Sequence, residues 1–100
     1  MFKVEGQGTI YKKDVKANRN GNYWLRLAIR VPKENGYNTY NASFNTDSRM
    51  EMENYNIGDH VYIQGNWDIL RMKQADGTPI YYNTIKINDM KKVSEEQNNG

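Results

Sequence analysis

Between Tyr23 and Val31 the chain alternates without a break: Leu25, Leu27, Ile29 and Val31 fall in one phase, and Trp24, Arg26, Ala28 and Arg30 in the other. A period of two belongs to a strand with one face on a core and one toward solvent. Weaker versions of the pattern recur on either side. Phe2, Val4 and Ile10 share a phase, with Gly6 and Gly8 standing where core side chains would otherwise point. Glycines so placed predict a bend or a close backbone approach, as in a first strand that serves both sides of a small barrel. Residues 12 to 22, KKDVKANRNGN, read as a polar, basic loop. Pro32 to Gly36 interrupts the alternation and Tyr40, Ala42 and Phe44 resume it, so a hairpin joins those two strands.

In TDSRMEMENYN, Ser48 and Glu51 have capping-box spacing and Met52 and Tyr55 stand about one helical turn apart. This predicts one or two turns of helix that end at Asn56 to Asp59. From Gly58 to Ile87 the strand pattern returns twice. Val61 and Ile63 alternate with Tyr62 and Gln64, and Ile85 and Ile87 alternate with Thr84 and Lys86. Asp76-Gly77 supplies the turn between them, because glycine accepts positive φ and aspartate bonds its own following backbone. Trp67 continues the phase of Val61, and Tyr81 that of Ile85, which places both in the core. Tyr82 points the other way, with Lys86. The tail after Val93, SEEQNNG, has no apolar periodicity and reads as disordered.

Five strands with a short helix between the third and fourth describe an all-β chain. They match the OB-fold, a five-stranded Greek-key barrel. An SH3-like barrel also has five strands but does not predict a helix at 47–55. At 100 residues, one domain over 1–93 accounts for the chain. The chain has no Cys, which excludes disulfides and thiolate metal sites. No apolar run approaches a membrane span, and MFKVEGQG lacks the apolar core of a signal peptide, so a cytoplasmic protein is expected.

The net charge of +2 conceals an asymmetry: residues 1–50 hold nine Lys/Arg against four Asp/Glu, and residues 51–100 hold five against eight. An anionic partner is therefore sought in the first half. Eight of the twelve aromatics are Tyr, which suits half-wet surfaces. Catalysis has little to draw on. His60 is the only histidine, and its neighbour Asp59 points to the opposite face of a strand, so a solvent-facing histidine at a strand start is expected. There is no phosphate loop, nucleophile motif or metal-spaced His/Cys set, and Glu51, Glu53 and Asp59 read as capping and solubility. No enzyme, metal or cofactor is expected.

Gly58, Val61-Tyr62-Ile63-Gln64-Gly65, the charged Arg71-Met72-Lys73, Gly77 and Tyr81 resemble the closing hairpin of bacterial and phage single-stranded DNA-binding proteins, the SSB family. A weaker echo lies in Gly21 to Ala28, GNYWLRLA. The resemblance covers about half the chain. It implies an OB-fold that binds single-stranded DNA, and it opens the family's dimeric or tetrameric states to this chain. Two departures matter. The family's C-terminal acidic tip has no counterpart beyond two glutamates, so recruitment of replication partners through it is not expected. Met72 stands where the family often carries a stacking aromatic, while Tyr40 or Phe44 could take such a place on the third strand. The compact form resembles a phage or plasmid member.

A single strand offers a charged backbone and unpaired bases, so its binder needs cations along a groove and rings to stack on. Trp24, Arg26 and Arg30 supply both on one face; the alternative for Trp24 is to cover a barrel edge or a dimer contact, and for the arginines to pair with acidic neighbours. Lys12, Lys13, Lys16 and Arg19 cluster in the expected first loop, where each would also be at home as a solvated side chain. Arg71 and Lys73 flank the second loop. Tyr40, Tyr62, Tyr82 and Lys86 complete the candidate set, while Phe44 reads as core. The expectation is sequence-tolerant single-stranded DNA binding in replication or recombination. The alternatives are an RNA-binding module and an assembly domain in which Trp24 and Tyr62 bury against a partner chain.

Overall fold

A computed structural model describes residues 2–93; the polar tail read as disordered lies outside the described residues. The elements are β1 (Lys3–Ala17), β2 (Tyr23–Lys33), β3 (Gly36–Thr46), α1 (Arg49–Asn54), β4 (His60–Lys73) and β5 (Pro79–Lys92). The strands close into a barrel in the order β1-β2-β3-β5-β4. This is the OB-fold architecture, with its single short helix between β3 and β4. Among the described residues no helix is long and apolar enough to cross a membrane.

Closure depends on β1 serving two partners. Lys3 to Thr9 pair with β4 and Thr9 to Ala17 pair with β2, both antiparallel. Gly8, at the changeover, is there because of space: a Cβ would stand 2.5 Å from Ile29 Cγ2 and 2.7 Å from the Arg30 carbonyl. On the opposite seam β3 meets β5 in parallel through Ala42 with Ile85 and Ser43 with Lys86. The core is the inward set: Ile10, Leu27, Ile29, Ala42, Val61, Ile63 and Ile85, with Tyr55 from the end of α1. Tyr55 donates to the Met90 carbonyl at 2.9 Å, and its ring meets Phe44 edge-on at 6.3 Å. The N-cap half of the expected capping box forms, with the Glu51 N–H donating to Ser48 Oγ at 3.1 Å, but the Ser48 N–H donates to Thr46 Oγ1 at 3.0 Å rather than to the Glu51 side chain.

Three expectations are corrected. Residues 12 to 17 are strand rather than loop; the turn is confined to Asn18–Asn22. Their polar side chains gave no alternation to read, yet the cross-strand pairing with Tyr23 to Ala28 supplies the ladder. Trp67 and Tyr81 are not core. They are 40% and 61% exposed, because β4 and β5 run on past the barrel as a two-stranded arm. From residue 67 to residue 83, beyond the pairings to β1 and β3, phase continues but nothing closes over it. His60 is half-buried rather than solvent-facing, with Nδ1 3.1 Å from Thr9 Oγ1. The arm's tip follows the sequence reading: Gly77 has φ 88°, and Asp76 Oδ1 accepts from the Thr78 N–H at 2.9 Å.

Candidate nucleic-acid interface

The strand register sorts the outer surface of β1-β2-β3-β5 into rows. Lys16, Trp24 and Asn45 form one; Asp14, Arg26, Ser43 and Lys86 the next; Lys12, Ala28 and Asn41 a third; Thr9, Arg30 and Thr39 a fourth. Alternation fixes this grouping, since the intervening residues Leu25, Leu27 and Ile29 are buried inside. Ala28 is the smallest side chain on the β2 part of this face and lies in a groove of about 600 Å³. Trp24, Arg26, Lys12 and Lys13 wall that groove on one side, and Tyr82 and Thr84 from β5 on the other. The Arg26 guanidinium carbon lies 5.6 Å from the Trp24 ring centroid. A half-buried indole, an opposing phenol and three cations therefore border one trough.

The cations are not equivalent. Lys13 Nζ donates to the Met52 carbonyl at 2.8 Å and reaches Asn56 Oδ1 at 3.4 Å. It satisfies the end of α1, which has no basic residue of its own in its last turn. Lys12, Lys16 and Arg26 remain exposed on the face, and Arg19 stands in the exposed turn beyond it.

A second depression of about 310 Å³ adjoins the first across the exposed Ile57. It holds Arg30, Tyr11, Tyr37 and Pro32. The Arg30 guanidinium carbon lies 3.5 Å from the Tyr11 centroid and 5.4 Å from that of Tyr37. Neither tyrosine stood out in the sequence. Tyr11 lies within β1 at a register irregularity and Tyr37 near the start of β3, on the two strands that flank the outward-phased Arg30.

Other candidates are placed elsewhere. Tyr40 pairs with Ile29 and turns to the inner side, where its ring meets Trp67 at 6.2 Å over a cavity of about 280 Å³ at the barrel mouth. Arg71 and Lys73 share the Trp67 and Tyr81 side of the arm, whereas Tyr82 is on the other side. Tyr62 is on the outside of β4, donating to Glu5 and 5.6 Å from Lys91 Nζ. That bond to Glu5, ahead of burial and of the charges of Glu5 and Asp89, raises the Tyr62 phenol above its ordinary value. The structure thus gathers Trp24, Arg26, Arg30, Lys12, Lys16, Tyr82 and Lys86 on one face, while Lys13, opposite the inward Leu27, lines the groove but bonds the end of α1. It leaves Tyr40, Tyr62, Arg71 and Lys73 off it.

No protein-family model and no curated protein sequence matches the chain. Among solved structures it is similar to Plasmodium falciparum SSB in complex with ssDNA, with a TM-score of 0.76 over 94% of this chain and 96% of that one. It is the OB-fold that the two chains share. At 14% sequence identity the likeness extends to the backbone and not to particular side chains.

Proposed function

We propose that this chain is a non-catalytic, sequence-tolerant binder of single-stranded DNA that coats exposed strands during replication or recombination, in the manner of a compact phage or plasmid member of the SSB family. One observation carries the reading: Trp24 and Tyr82 face one groove whose rim holds Lys12 and Arg26. Stacking suits any base and cations suit the common backbone, so the groove needs no sequence. The shared fold with a protein solved in complex with ssDNA supports the same reading.

In a Trp67→Phe chain, Trp24 is the only indole. Titrating oligo-dT should quench its fluorescence, with affinity falling as salt rises. Absence of quenching at low salt, or equal affinity for duplex, refutes the proposal. Trp24→Ala should fold and lose about 1–3 kcal/mol of binding, the contribution of one stacked base. Competition between matched DNA and RNA oligomers separates the RNA-binding alternative. Exposed Phe2, Trp67, Ile69 and Tyr81, away from the groove, favour a second reading, an assembly surface. Sedimentation without nucleic acid tests it: a monomer rules it out as a self-assembly face.

A further inference from the structure

Three features meet at the Arg30 end of β2. The β-bulge in β1 leaves Tyr11 between Ile10, which pairs with Ile29, and Lys12, which pairs with Ala28. A bulge re-aims its extra residue, and here the phenol ring lies under the guanidinium, 3.5 Å from its carbon. Tyr37, from the strand on the other flank of β2, brings a second ring to 5.4 Å. Arg30 Nε is buried without a hydrogen-bond partner, and no carboxylate is among the residues lining this depression. Lys12 Nζ lies 5.8 Å from the same Tyr11 centroid, so two cations share one ring.

A guanidinium that rests its face on a ring cannot offer that face to a base. With Nε buried, what it offers is the edge formed by its two terminal nitrogens, a fork that matches two oxygens of a phosphate. A second cation nearby makes the spot repulsive when empty and favourable to an anion.

We infer that Tyr11, Arg30 and Lys12 form a backbone clamp for one phosphodiester of a bound strand. This rests on the single-strand reading above and divides its labour: the Trp24 end stacks, and the Arg30 end holds charge. Trp24 and Arg30 are six residues apart on β2, about 20 Å along an extended strand, so a bound strand reaches both by following β2.

The test uses the full chain in the Trp67→Phe background, with Trp24 quenching by oligo-dT read across a salt series. Arg30→Gln should bind about tenfold more weakly at low salt, the loss of a charged hydrogen-bond donor. Its log-affinity against log-salt slope should shrink by about 0.7, the share of one phosphate on a single strand. Arg30→Lys should keep the slope and still bind more weakly, because charge survives and the fork does not. The maximal quench should be unchanged in both. A scan of oligomers carrying one neutral methylphosphonate linkage should find a position that weakens the parent chain and leaves Arg30→Gln unaffected.

Arg30→Gln matching the parent in affinity and slope, with normal quenching, overturns the clamp alone. A parent that shows no quenching overturns the single-strand reading and the clamp with it. Should Arg30→Gln lose its β-sheet circular dichroism, the scan on Arg30→Lys decides. A linkage penalty reduced relative to the parent supports the clamp, and an undiminished one overturns it.

Discussion

Gly65→Ala should destabilise the barrel while Gly6→Ala should not, although both glycines lie on the pairing between β1 and β4. At Gly65 an added Cβ would stand 2.3 Å from the Lys86 carbonyl oxygen and 3.0 Å from Ile85 Cγ2. Normal contact lies near 3.5 Å, so the β5 backbone must retreat by about 1 Å. It is poorly placed to do so, because Lys86 is paired with Asn66 on one side and Ser43 on the other. Overpacking of this kind costs about 1–3 kcal/mol, offset in part by the roughly 0.4–1 kcal/mol that alanine contributes by restricting the unfolded chain. A net loss of about 1–2 kcal/mol corresponds to a fall in Tm of roughly 4–16 °C for a domain of this size. At Gly6 nothing lies within 4 Å of the same added atom, so only the unfolded-state term acts and Tm should hold or rise. Thermal and urea unfolding followed by far-ultraviolet circular dichroism measure both, with an unchanged m value confirming that only stability moved. If the two variants unfold at the same temperature, the close approach of β5 to β4 at this point is wrong.

Tyr55→Phe removes the donor to the Met90 carbonyl while leaving the ring against Phe44. A loss of about 1 kcal/mol in urea unfolding is expected, and none at all would mean the bond contributes nothing net. At the tip of the arm, the Thr78 backbone N–H holds the Asp76 carboxyl below its ordinary value of 3.8. A carboxyl with a depressed folded value stabilises the turn above its unfolded value and loses that contribution as pH falls through the folded one. The Thr78 amide shift in NMR should therefore titrate with a midpoint below 3.8, and a midpoint at or above it refutes the bond.

Much of the barrel was legible wherever side chains had to choose a side. Leu25, Leu27 and Ile29 fixed β2 and, by exclusion, the outward Trp24, Arg26 and Arg30. Ser48 with Glu51 fixed the start of α1, and Asp76-Gly77 the tip of the arm. What alternation conveys is direction, and it cannot say whether anything covers the side it points to. Trp67 and Tyr81 were misjudged for that reason: they keep the inward phase after the barrel has ended. Lys12, Lys13 and Lys16 were misjudged for the converse reason, since a strand whose outer face is charged resembles a loop in composition. The bulge at Tyr11 could not be read from one strand, because it exists only as a mismatch with β2. Arg71 and Lys73 suited the sequence expectation in charge, yet they keep the phase of Val61 and Trp67, which the β4–β5 register puts on the side away from Tyr82.

The irregularity in that register also governs what the groove contains. Gln64 is opposite Asp89 and Gly65 opposite Ile87, so Asn88 is one residue in excess. Beyond it the frame of β5 is held by the Asn88 offset, by the pairing of Ile85 and Lys86 with β3, and by the Asp76-Gly77 turn at the tip of the arm. Asn88 thus acts as a frame marker for side chains far from it. Removing that one residue would make the Gln64–Asp89 and Gly65–Ile87 pairs consecutive and leave the arm in place, whereas keeping it and drawing it into the ladder opposite Gly65 would shift the arm by one position. Tyr82 would then leave the groove for the barrel mouth, and Tyr81 would take its place.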